Sequence, residues 1–515
     1  MARMLPLNQS QLHSMNRPTL CFALLALLVA PHFAAQAAEA TSVRPNVLFI
    51  IADDASRHFG EAYGCNWVKT PNIDRLAKQG LVFDNVYTPT SKCAPSRAAI
   101  LTGRNPWQLE DAANHQPYFP AKFMVFSEAL AQAGIACGAA GKIWGPGEAK
   151  LASGLPRNFG LRGNGDVSDR EPGTAFTAFL KTRAPNQPFF YWFGSHYPHR
   201  GYKPDSGIAA GKKPADIDRV PAYWPDNDVV RRDMLDYAIE VEAYDAQVGS
   251  LLAALEASGE AANTLIIVTS DHGMPFPRVK GHTYDDAHRI PFIVTWPGRV
   301  PQPGRRVSDF ISFIDLAPTL LELFQIDGIA RGMSSITGRS FVDLLQGQSK
   351  SERGFVIFGR ERNDVLARPG SPAGLGYPTR GIRSGSLFYV QNFAPERWPC
   401  GNPELSLKDT DPSPSKTLVA ERGESDPFWQ HAYGKRPAEQ LFDLQSDPDC
   451  VTNLAGQPAY AANLTTMRAQ LMSELKRQGD PRALGRGDTF DQYHSPRVGG
   501  TGEQPNRKSK KKAQP

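Results

Sequence analysis

Two apolar runs, each leading into a pair of acidic or imidazole residues, restrict the fold of this 515-residue chain more than any other feature. Residues 47–52 lead into Asp53-Asp54, and residues 265–269 lead through a serine into Asp271-His272. An apolar run without polar alternation is typical of a parallel strand that is buried on both faces. Because ligands bind at the carboxyl ends of strands in open α/β sheets, the sequence predicts a functional site where these two pairs meet.

Strand and helix patterns alternate through about residue 325, which predicts an α/β fold with a large, mostly parallel sheet between helices. The longest helical pattern covers residues 235–255. Residues 381–392 alternate like an antiparallel strand, and a last helix pattern covers residues 464–475. We therefore predict a first domain over residues 44–374 and a smaller α+β domain with an antiparallel sheet over residues 375–490.

The two ends of the chain carry targeting and charge signals. Arg17 precedes an apolar run from Leu20 to Ala30, which is too short to span a membrane. This pattern predicts a signal peptide over residues 1–38 and export to the periplasm or the medium, without membrane insertion after cleavage. The formal net charge of +5 is concentrated at the two ends, and the basic stretch 491–515 is predicted to be a disordered tail. The near-neutral remainder argues against nucleic acid as a partner.

Cysteine usage points to a thiol with a special role. Of the 6 cysteines, Cys21 lies in the leader, which leaves Cys65, Cys93, Cys137, Cys400 and Cys450. An odd number of cysteines in an oxidising compartment indicates that one thiol has a role other than pairing. A bridge between Cys400 and Cys450 is one candidate, but Cys65 and Cys137 are equally available, so the pairing stays open.

The polar pairs at the two strand ends are candidate metal ligands. A single acid at such a position is usually a helix cap or a solvated loop residue, whereas two pairs at one sheet edge favour converging ligands. Carboxylate oxygens select a hard cation such as Ca²⁺ or Mg²⁺, and the imidazole of His272 leaves Mn²⁺ or Zn²⁺ open.

The segment Cys93-Ala94-Pro95-Ser96-Arg97, continued by Leu101-Thr102-Gly103-Arg104, is the most specific motif in the chain. It resembles the signature of the type I, formylglycine-dependent sulfatases of the alkaline phosphatase superfamily. Further blocks between residue 44 and about residue 460 resemble that family in the same order: Arg44 to Val47, Thr70 to Ala77, Gly141-Lys142, Pro198-His199-Arg200, Ser270 to Gly273, and Leu441 to Leu444. The resemblance implies an alkaline phosphatase-like fold, with residues 44–374 as the catalytic domain.

The resemblance also implies a cofactor and a nucleophile. Cys93 would be converted to formylglycine by a formylglycine-generating or an anaerobic sulfatase-maturating enzyme, and the hydrated aldehyde would be the nucleophile. A divalent cation, Ca²⁺ with Mg²⁺ or Mn²⁺ as alternatives, would be bound by Asp53, Asp54, Asp271, His272 and an oxygen of the modified Cys93.

Roles in catalysis follow from the same resemblance. Arg97 would hold the formylglycine hydroxyls, and Lys142, His199 and Lys280 would bind the sulfate and its bridging atom. Asp271 is the candidate base for the attacking hydroxyl, and His199 or Lys280 would give a proton to the leaving group. Fixed cations of this kind stabilise the negative charge of a sulfuryl group as it is transferred.

One position departs from the family pattern. Many sulfatases carry a histidine shortly after the Gly-Lys pair, but Trp144 and its neighbours provide none. Trp144 is a candidate for the pocket wall, and His115 or His196 is a candidate substitute. Aromatic stacking on a sugar and packing in the core are equally consistent with the sequence at four positions: Trp107, His115, Tyr118 and Trp398.

The expected substrate is a sulfated glycan of the glycosaminoglycan type. Residues 274–280 and 398–404 resemble the branch of heparan N-sulfatase (sulfamidase), which implies sulfate esters or sulfamates such as those of heparan sulfate. Two alternatives stay open: a phosphonate or phosphodiester hydrolase of the same superfamily, and a sulfated-glycan binding protein without catalytic activity.

Overall fold

The computed structural model describes residues 44–163, 170–348, 353–370 and 372–498. The predicted signal peptide, residues 1–38, lies outside the described residues. The strands are β1 Asn46–Ala52, β2 Leu81–Tyr87, β3 Tyr118–Phe119, β4 Ala136–Gly141, β5 Glu148–Ala149, β6 Phe189–Gly194, β7 Thr264–Ser270, β8 Arg289–Thr295, β9 Arg306–Ser312, β10 Phe355–Arg360, β11 Thr379–Ser384, β12 Leu387–Asn392 and β13 Glu439–Asp443. The helices are α1 Pro71–Gln79, α2 Cys93–Thr102, α3 Phe126–Gln132, α4 Pro172–Leu180, α5 Ser206–Ala209, α6 Asp228–Ala257, α7 Asp285–His288, α8 Leu316–Leu323, α9 Val342–Leu345, α10 Pro414–Glu421, α11 Pro427–Tyr433 and α12 Ala461–Arg477.

Among the described residues, seven strands form the large sheet in the order β4-β6-β1-β7-β8-β2-β9. Strand β1 lies between β6 and β7 and is parallel to both. The pairs β4-β6 and β2-β9 are also parallel, but β8 runs antiparallel to β7 and to β2. The predicted α/β fold with a parallel-majority sheet is therefore confirmed.

Helices cover both faces of this sheet, which explains the apolar run of β1. Val47, Phe49 and Ile51 pack on one face in a core that includes residues of α2, α3 and α8. Leu48 and Ile50 point to the opposite face, where α6 supplies much of the core. Alternate residues of a strand point to opposite faces, so a strand covered on both sides has no solvent-facing position for a polar residue.

A second, antiparallel sheet consists of β10, β11, β12 and β13 in chain order. Residues 381–392, predicted as one strand, belong to a hairpin in which Ser384 of β11 pairs with Leu387 of β12. Gly385 in the turn has a φ of 57°, and a tight hairpin turn requires this left-handed conformation. Helix α12 packs against β11 and β12, and the predicted α+β character of this region is confirmed.

The limits of the second region differ in part from the prediction. Its sheet takes β10 from before residue 374, and the domain boundary itself stays a prediction. The predicted tail starts too early, because Asp491 is buried and accepts hydrogen bonds from the Gly376 amide at 2.9 Å and from Arg397 at 3.1 Å. Composition does not reveal such specific contacts. Within the described part of the chain, the helices fall short of the length and apolarity that a membrane span requires.

Candidate active site

The adjacent strands β1 and β7 bring the two polar pairs together. Ala52 lies opposite Ser270 in the parallel register, so the residues that follow them lie side by side. The Asp54 amide donates to Asp271 Oδ1 at 3.0 Å, and His272 Nε2 lies 3.1 Å from Asp54 Oδ1. Asp54 has a φ of 76°, a left-handed conformation that Asp adopts more readily than most residues.

Cys93 lies directly beside these strand ends. It is the first residue of α2, and it is 1% exposed. Cys93 Sγ lies 3.3 Å from His272 Nε2 and 3.8 Å from Asp54 Oδ1. The Ser96 hydroxyl donates to the Asp271 carbonyl at 2.7 Å and so joins the helix to the end of β7. The N-terminal turn of a helix favours negative charge at this position.

An unmodified thiol is poorly suited to act as a nucleophile here. Burial raises the pKa of Cys93 well above its usual range; Lys142 opposes this effect, and Asp53 adds to it. The thiolate is the reactive form of cysteine. Burial of Cys93 therefore favours the protonated form of its thiol, which is the less reactive one.

The donor set around Cys93 fits a divalent cation. Cys93 Sγ belongs to two groups of candidate ligands, one with Asp54 and His272 and one with Asp53 and Asp271, and within each group the ligand atoms lie within 4.8 Å of one another. Carboxylate oxygens with a single imidazole nitrogen suit a hard cation such as Ca²⁺, Mg²⁺ or Mn²⁺. A sulfur ligand does not, whereas an oxygen at position 93 would complete a matching set.

Three cationic side chains each form an ion pair with one of the three carboxylates. Lys142 Nζ lies 2.8 and 2.7 Å from the oxygens of Asp53. Lys280 Nζ lies 2.6 Å from Asp54 Oδ2, and Arg97 Nε donates to Asp271 Oδ2 at 2.9 Å. All of these groups are buried or nearly so.

These contacts keep the acids ionised. Burial by itself would raise the pKa of Asp53, but Lys142 and Arg97 hold that pKa well below its usual range. Burial likewise opposes ionisation of Asp54, and Lys280 and the neighbouring imidazoles lower its pKa. Charged carboxylates are the form that binds a metal ion.

The backbone fixes the position of Lys142. Its amide donates to the Gly194 carbonyl at 2.7 Å, and its carbonyl accepts from Trp192 Nε1 at 3.3 Å and from Arg97 at 2.5 Å. A Cβ on Gly194 would lie 1.7 Å from the Lys142 carbonyl oxygen. Glycine at position 194 is therefore required for this close approach of the two strand ends.

His199 lies at the edge of the site. Its side chain is 40% exposed, and its Nε2 lies 3.8 Å from Asp54 Oδ2. Its Nδ1 donates to the Arg200 carbonyl at 2.6 Å, which leaves Nε2 as the ring nitrogen on the side of Asp54. Two hydrogen bonds from Arg200 to Asp233, at 2.6 and 3.0 Å, anchor the loop.

The structure places three further charged residues, Asp411, Asp364 and Lys92, beside the predicted site, and His115 contacts one of them. Asp411 Oδ2 lies 2.9 Å from Lys280 Nζ, and Asp364 lies between Lys92 Nζ and His115 Nδ1 at 3.0 Å from each. Burial lowers the pKa of His115 to about 4, so its ring is neutral. Asp364 and Asp411 lie in loops that carry neither periodicity nor a motif, so the sequence offered no signal for them.

The structure places several side chains whose roles the sequence left open. Trp107 is buried in the core between the second sheet and α12, and Arg380 lies over its ring. Trp144 packs edge-on against Phe119 with ring centroids 5.3 Å apart and is partly buried against the core of the large sheet, so its place in the pocket wall stays a prediction. Trp398 contacts Trp429, whereas Tyr118 is 41% exposed.

The possible bridge between Cys400 and Cys450 does not form, since every described cysteine is free. Cys400 Sγ instead lies 2.9 Å from His282 Nε2. His288 Nδ1 lies 2.8 Å from the Thr88 carbonyl and has a structural role. His196, the second candidate substitute for the missing histidine, is exposed.

A family model described as "Sulfatase" matches residues 45–326. The chain therefore belongs to the sulfatase family, whose members hydrolyse sulfuric esters. It is 27% identical over 463 residues to an ulvan-active sulfatase of Formosa agariphila, covering 86% of this chain and 82% of the relative. It is 28% identical over 481 residues to the N-sulphoglucosamine sulphohydrolase of Homo sapiens, covering 85% of this chain and 91% of the relative.

Solved structures share the fold. One, described as a complex with its substrate D-glucosamine-2-N,6-O-disulfate, superposes with a TM-score of 0.60 at 21% identity and covers 85% of this chain and 98% of its own. A phosphonate monoester hydrolase of Agrobacterium radiobacter has a TM-score of 0.58 at 19% identity and covers 84% and 96% of the two chains. These likenesses confirm the predicted alkaline phosphatase-like architecture.

Proposed function

We propose that this chain is an exported sulfatase that hydrolyses sulfate esters or sulfamates of a sulfated, glycosaminoglycan-like glycan, using a formylglycine made from Cys93 and a divalent cation. The observation that carries the proposal is the position of Cys93, whose Sγ lies within 3.3 to 3.8 Å of His272 and Asp54. A residue held there, with a raised thiol pKa, is unsuited to thiolate chemistry but suited to supplying an oxygen ligand after oxidation.

The charge balance of the site supports an anionic substrate. The carboxylates of Asp53, Asp54 and Asp271 are matched by the cations of Lys142, Lys280 and Arg97. A divalent cation bound by these carboxylates would leave the buried site with an excess of positive charge. Such a site attracts a sulfuryl group and stabilises its charge, since electrostatic interactions are strong where water is excluded.

The groups implied by the family would supply two functions: a bound cation would act as a Lewis acid on the sulfate, and a formylglycine at position 93 would supply the attacking hydroxyl. Arg97, one helical turn after Cys93 in α2, would hold the hydroxyls of that residue. Asp271 is oriented by hydrogen bonds from Asp54 and Arg97 and accepts the proton of the attacking group. Lys142 and Lys280 hold the sulfate, and His199 or Lys280 protonates the leaving oxygen or nitrogen.

A glycan substrate is supported by two relatives that span most of this chain. One is named for its action on ulvan and the other for its action on N-sulphoglucosamine. Such polymers cannot enter a cell intact, which agrees with the export predicted from residues 1–38. Maturation of Cys93 would require a formylglycine-generating or an anaerobic sulfatase-maturating enzyme as a partner.

Two measurements test this proposal. Mass spectrometry of the peptide that contains Cys93 should show the mass of an aldehyde or its hydrate, and a fully retained thiol would contradict the mechanism. Release of sulfate should be measured from 4-nitrophenyl sulfate, glucosamine N-sulfate and N-acetylglucosamine 6-sulfate, with bis(4-nitrophenyl) phosphate as the comparison. Faster turnover of the phosphodiester than of every sulfate would favour the phosphodiesterase alternative.

The variant Cys93→Ala tests the role of position 93 directly. The protein should still fold, because the substitution removes only one sulfur atom from a buried position, and circular dichroism measures this. Sulfate release should fall by roughly a thousandfold or more. The other groups of the site act together with the nucleophile, and they cannot take its place. Activity within tenfold of the wild type would refute a role for position 93, and binding of sulfated glycans without turnover in the wild type would favour the non-catalytic alternative.

A further inference from the structure

Beside the sulfate-binding cations, the structure places a second group of polar side chains that the proposed mechanism does not use. Lys92, the residue before Cys93, contacts Asp364 Oδ2, and Asp364 Oδ1 contacts His115 Nδ1, both at 3.0 Å. Burial lowers the pKa of His115, and the positive charge of Lys280 adds to this effect. The pair Asp364 and His115 therefore lies next to the reaction centre, one side chain removed from it.

The imidazole of His115 presents a hydrogen-bond acceptor with no partner in the protein. Its Nδ1–H donates to the Asp364 carboxylate, which leaves Nε2 as an acceptor. The residue is 5% exposed, and Nε2 has no hydrogen-bond partner among the described residues. A buried acceptor without a partner is unfavourable, so this atom is available to a donor from a bound ligand or from an ordered water.

Asp364 is held firmly and remains accessible. Its amide donates to Asp409 Oδ1 at 2.8 Å, and Asp409 is itself paired with the buried Arg360 and Arg368. The side chain of Asp364 is 19% exposed, whereas that of Lys92 is 2% exposed. A carboxylate in this position can accept further hydrogen bonds beyond those from Lys92 and His115.

The two sides of the site differ in their hydrogen-bonding character. Lys142, Lys280 and Arg97 provide donors, which suit the oxygens of a sulfate. Asp364 and neutral His115 provide acceptors, which suit O–H or N–H groups and repel a second anion. We propose that Asp364 and His115 bind the sugar that carries the sulfate, by accepting hydrogen bonds from its hydroxyl or amine groups next to the scissile bond.

This inference rests on the proposed glycan sulfatase activity and adds a rule for substrate choice. Sulfated rings with free hydroxyl or amine groups next to the scissile sulfate are preferred over rings that carry another anionic group there. An aryl sulfate without hydroxyl groups does not use the pair. Enzymes that hydrogen-bond a substrate hydroxyl reject analogues that lack it, because the polar groups of the site are then left without partners.

Two variants of His115 separate this role from a structural one. Asparagine keeps an N–H close to the position of Nδ1 and removes the acceptor at Nε2, whereas glutamine keeps an acceptor near Nε2. Steady-state kinetics are measured with the mature enzyme on 4-nitrophenyl sulfate, glucosamine N-sulfate and N-acetylglucosamine 6-sulfate. The exposed His494, changed to asparagine, is the matched control.

We expect His115→Asn to raise KM for the sulfated sugars by about tenfold, with kcat and the kinetics on 4-nitrophenyl sulfate changed less than threefold. His115→Gln should recover part of the loss, and His494→Asn should match the wild type. Equal losses on the aryl and sugar sulfates, or no loss on the sugars, would overturn the inference. A wild-type enzyme that cleaves 4-nitrophenyl sulfate but no sulfated sugar would refute the glycan proposal instead.

Inhibition by a sugar that lacks sulfate provides a second measurement. Glucosamine should compete with 4-nitrophenyl sulfate in the wild type, and its inhibition constant should rise about tenfold in Asp364→Asn and in His115→Asn. This readout does not depend on turnover of a sugar sulfate. An unchanged inhibition constant in both variants would show that the pair does not contact the sugar.

Discussion

Replacement of Arg97 by alanine should cause a large loss of stability that bound metal reduces. Arg97 is completely buried, and its guanidinium lies 2.9 Å from Asp271 Oδ2 and 3.6 Å from Asp53 Oδ1. It also donates to the carbonyls of Lys142 and Ala52, at 2.5 and 3.3 Å. Removal of one partner from a buried ion pair costs about 3–5 kcal/mol, because a buried charge is left without compensation. This is a large share of the roughly 5–15 kcal/mol that stabilises a typical domain.

The expected metal dependence follows from the same charges. Without the guanidinium, a divalent cation meets less repulsion at the carboxylates, so it should stabilise Arg97→Ala more than it stabilises the wild type. Urea unfolding, followed by tryptophan fluorescence in EDTA and in excess Ca²⁺, measures both effects. In EDTA the variant should lose about 3–5 kcal/mol of unfolding free energy, and in Ca²⁺ the loss should be smaller.

The matched control for this experiment is Arg232→Ala. Arg232 forms surface pairs with Asp205 and Asp228, and its side chain is 42% exposed. Exposed pairs of this kind are screened by water and contribute little to stability. A loss in Arg97→Ala no larger than that in Arg232→Ala, or a loss unaffected by Ca²⁺, would refute the reasoning about the buried charges.

Three further outcomes are expected. Asp411→Asn removes one of the two carboxylates that hold Lys280, and kcat for 4-nitrophenyl sulfate should fall about tenfold, less than the 10²–10³ that loss of a direct donor costs; an unchanged kcat would exclude this positioning role. Burial raises the pKa of Asp286, whose carboxylate accepts from Tyr223 at 2.6 Å, to about 6. The folded state then binds this proton more tightly than the unfolded state, so stability should fall as pH rises from about 4 to 6, and urea titrations should show a shallower slope in Asp286→Asn. EDTA should abolish sulfate release and Ca²⁺, Mg²⁺ or Mn²⁺ should restore it; full activity after exhaustive chelation would contradict the cation requirement.

The sequence was most informative where a strand is buried on both faces. The apolar run of β1 predicted both its burial and the position of Asp53 and Asp54, because a parallel strand between two helical layers admits few polar residues. The direction of β8 was not predictable in this way, since an apolar run is the same in a parallel and an antiparallel strand. The hairpin at Gly385 was missed because alternation continues across a two-residue turn.

For the site, the sequence identified residues in motifs and missed residues that loops supply. Lys142 and Arg97 belong to recognisable blocks, whereas Asp364 and Asp411 are placed by long-range contacts that leave no local pattern. The role of Trp107 was ambiguous for a related reason: an aromatic side chain has the same sequence signature in a core and on a binding surface. Only the contact of Trp107 with Arg380 resolved that ambiguity.

The burial of Cys93 limits when this side chain can be modified. A side chain that is 1% exposed at the N-terminus of a packed helix is out of reach of another protein's active site once the chain has folded. Under the proposed mechanism, a modifying enzyme would have to meet the chain before it folds. A molecule that folded with an intact thiol would then stay inactive, so the specific activity of a preparation would report the fraction of chains modified before folding.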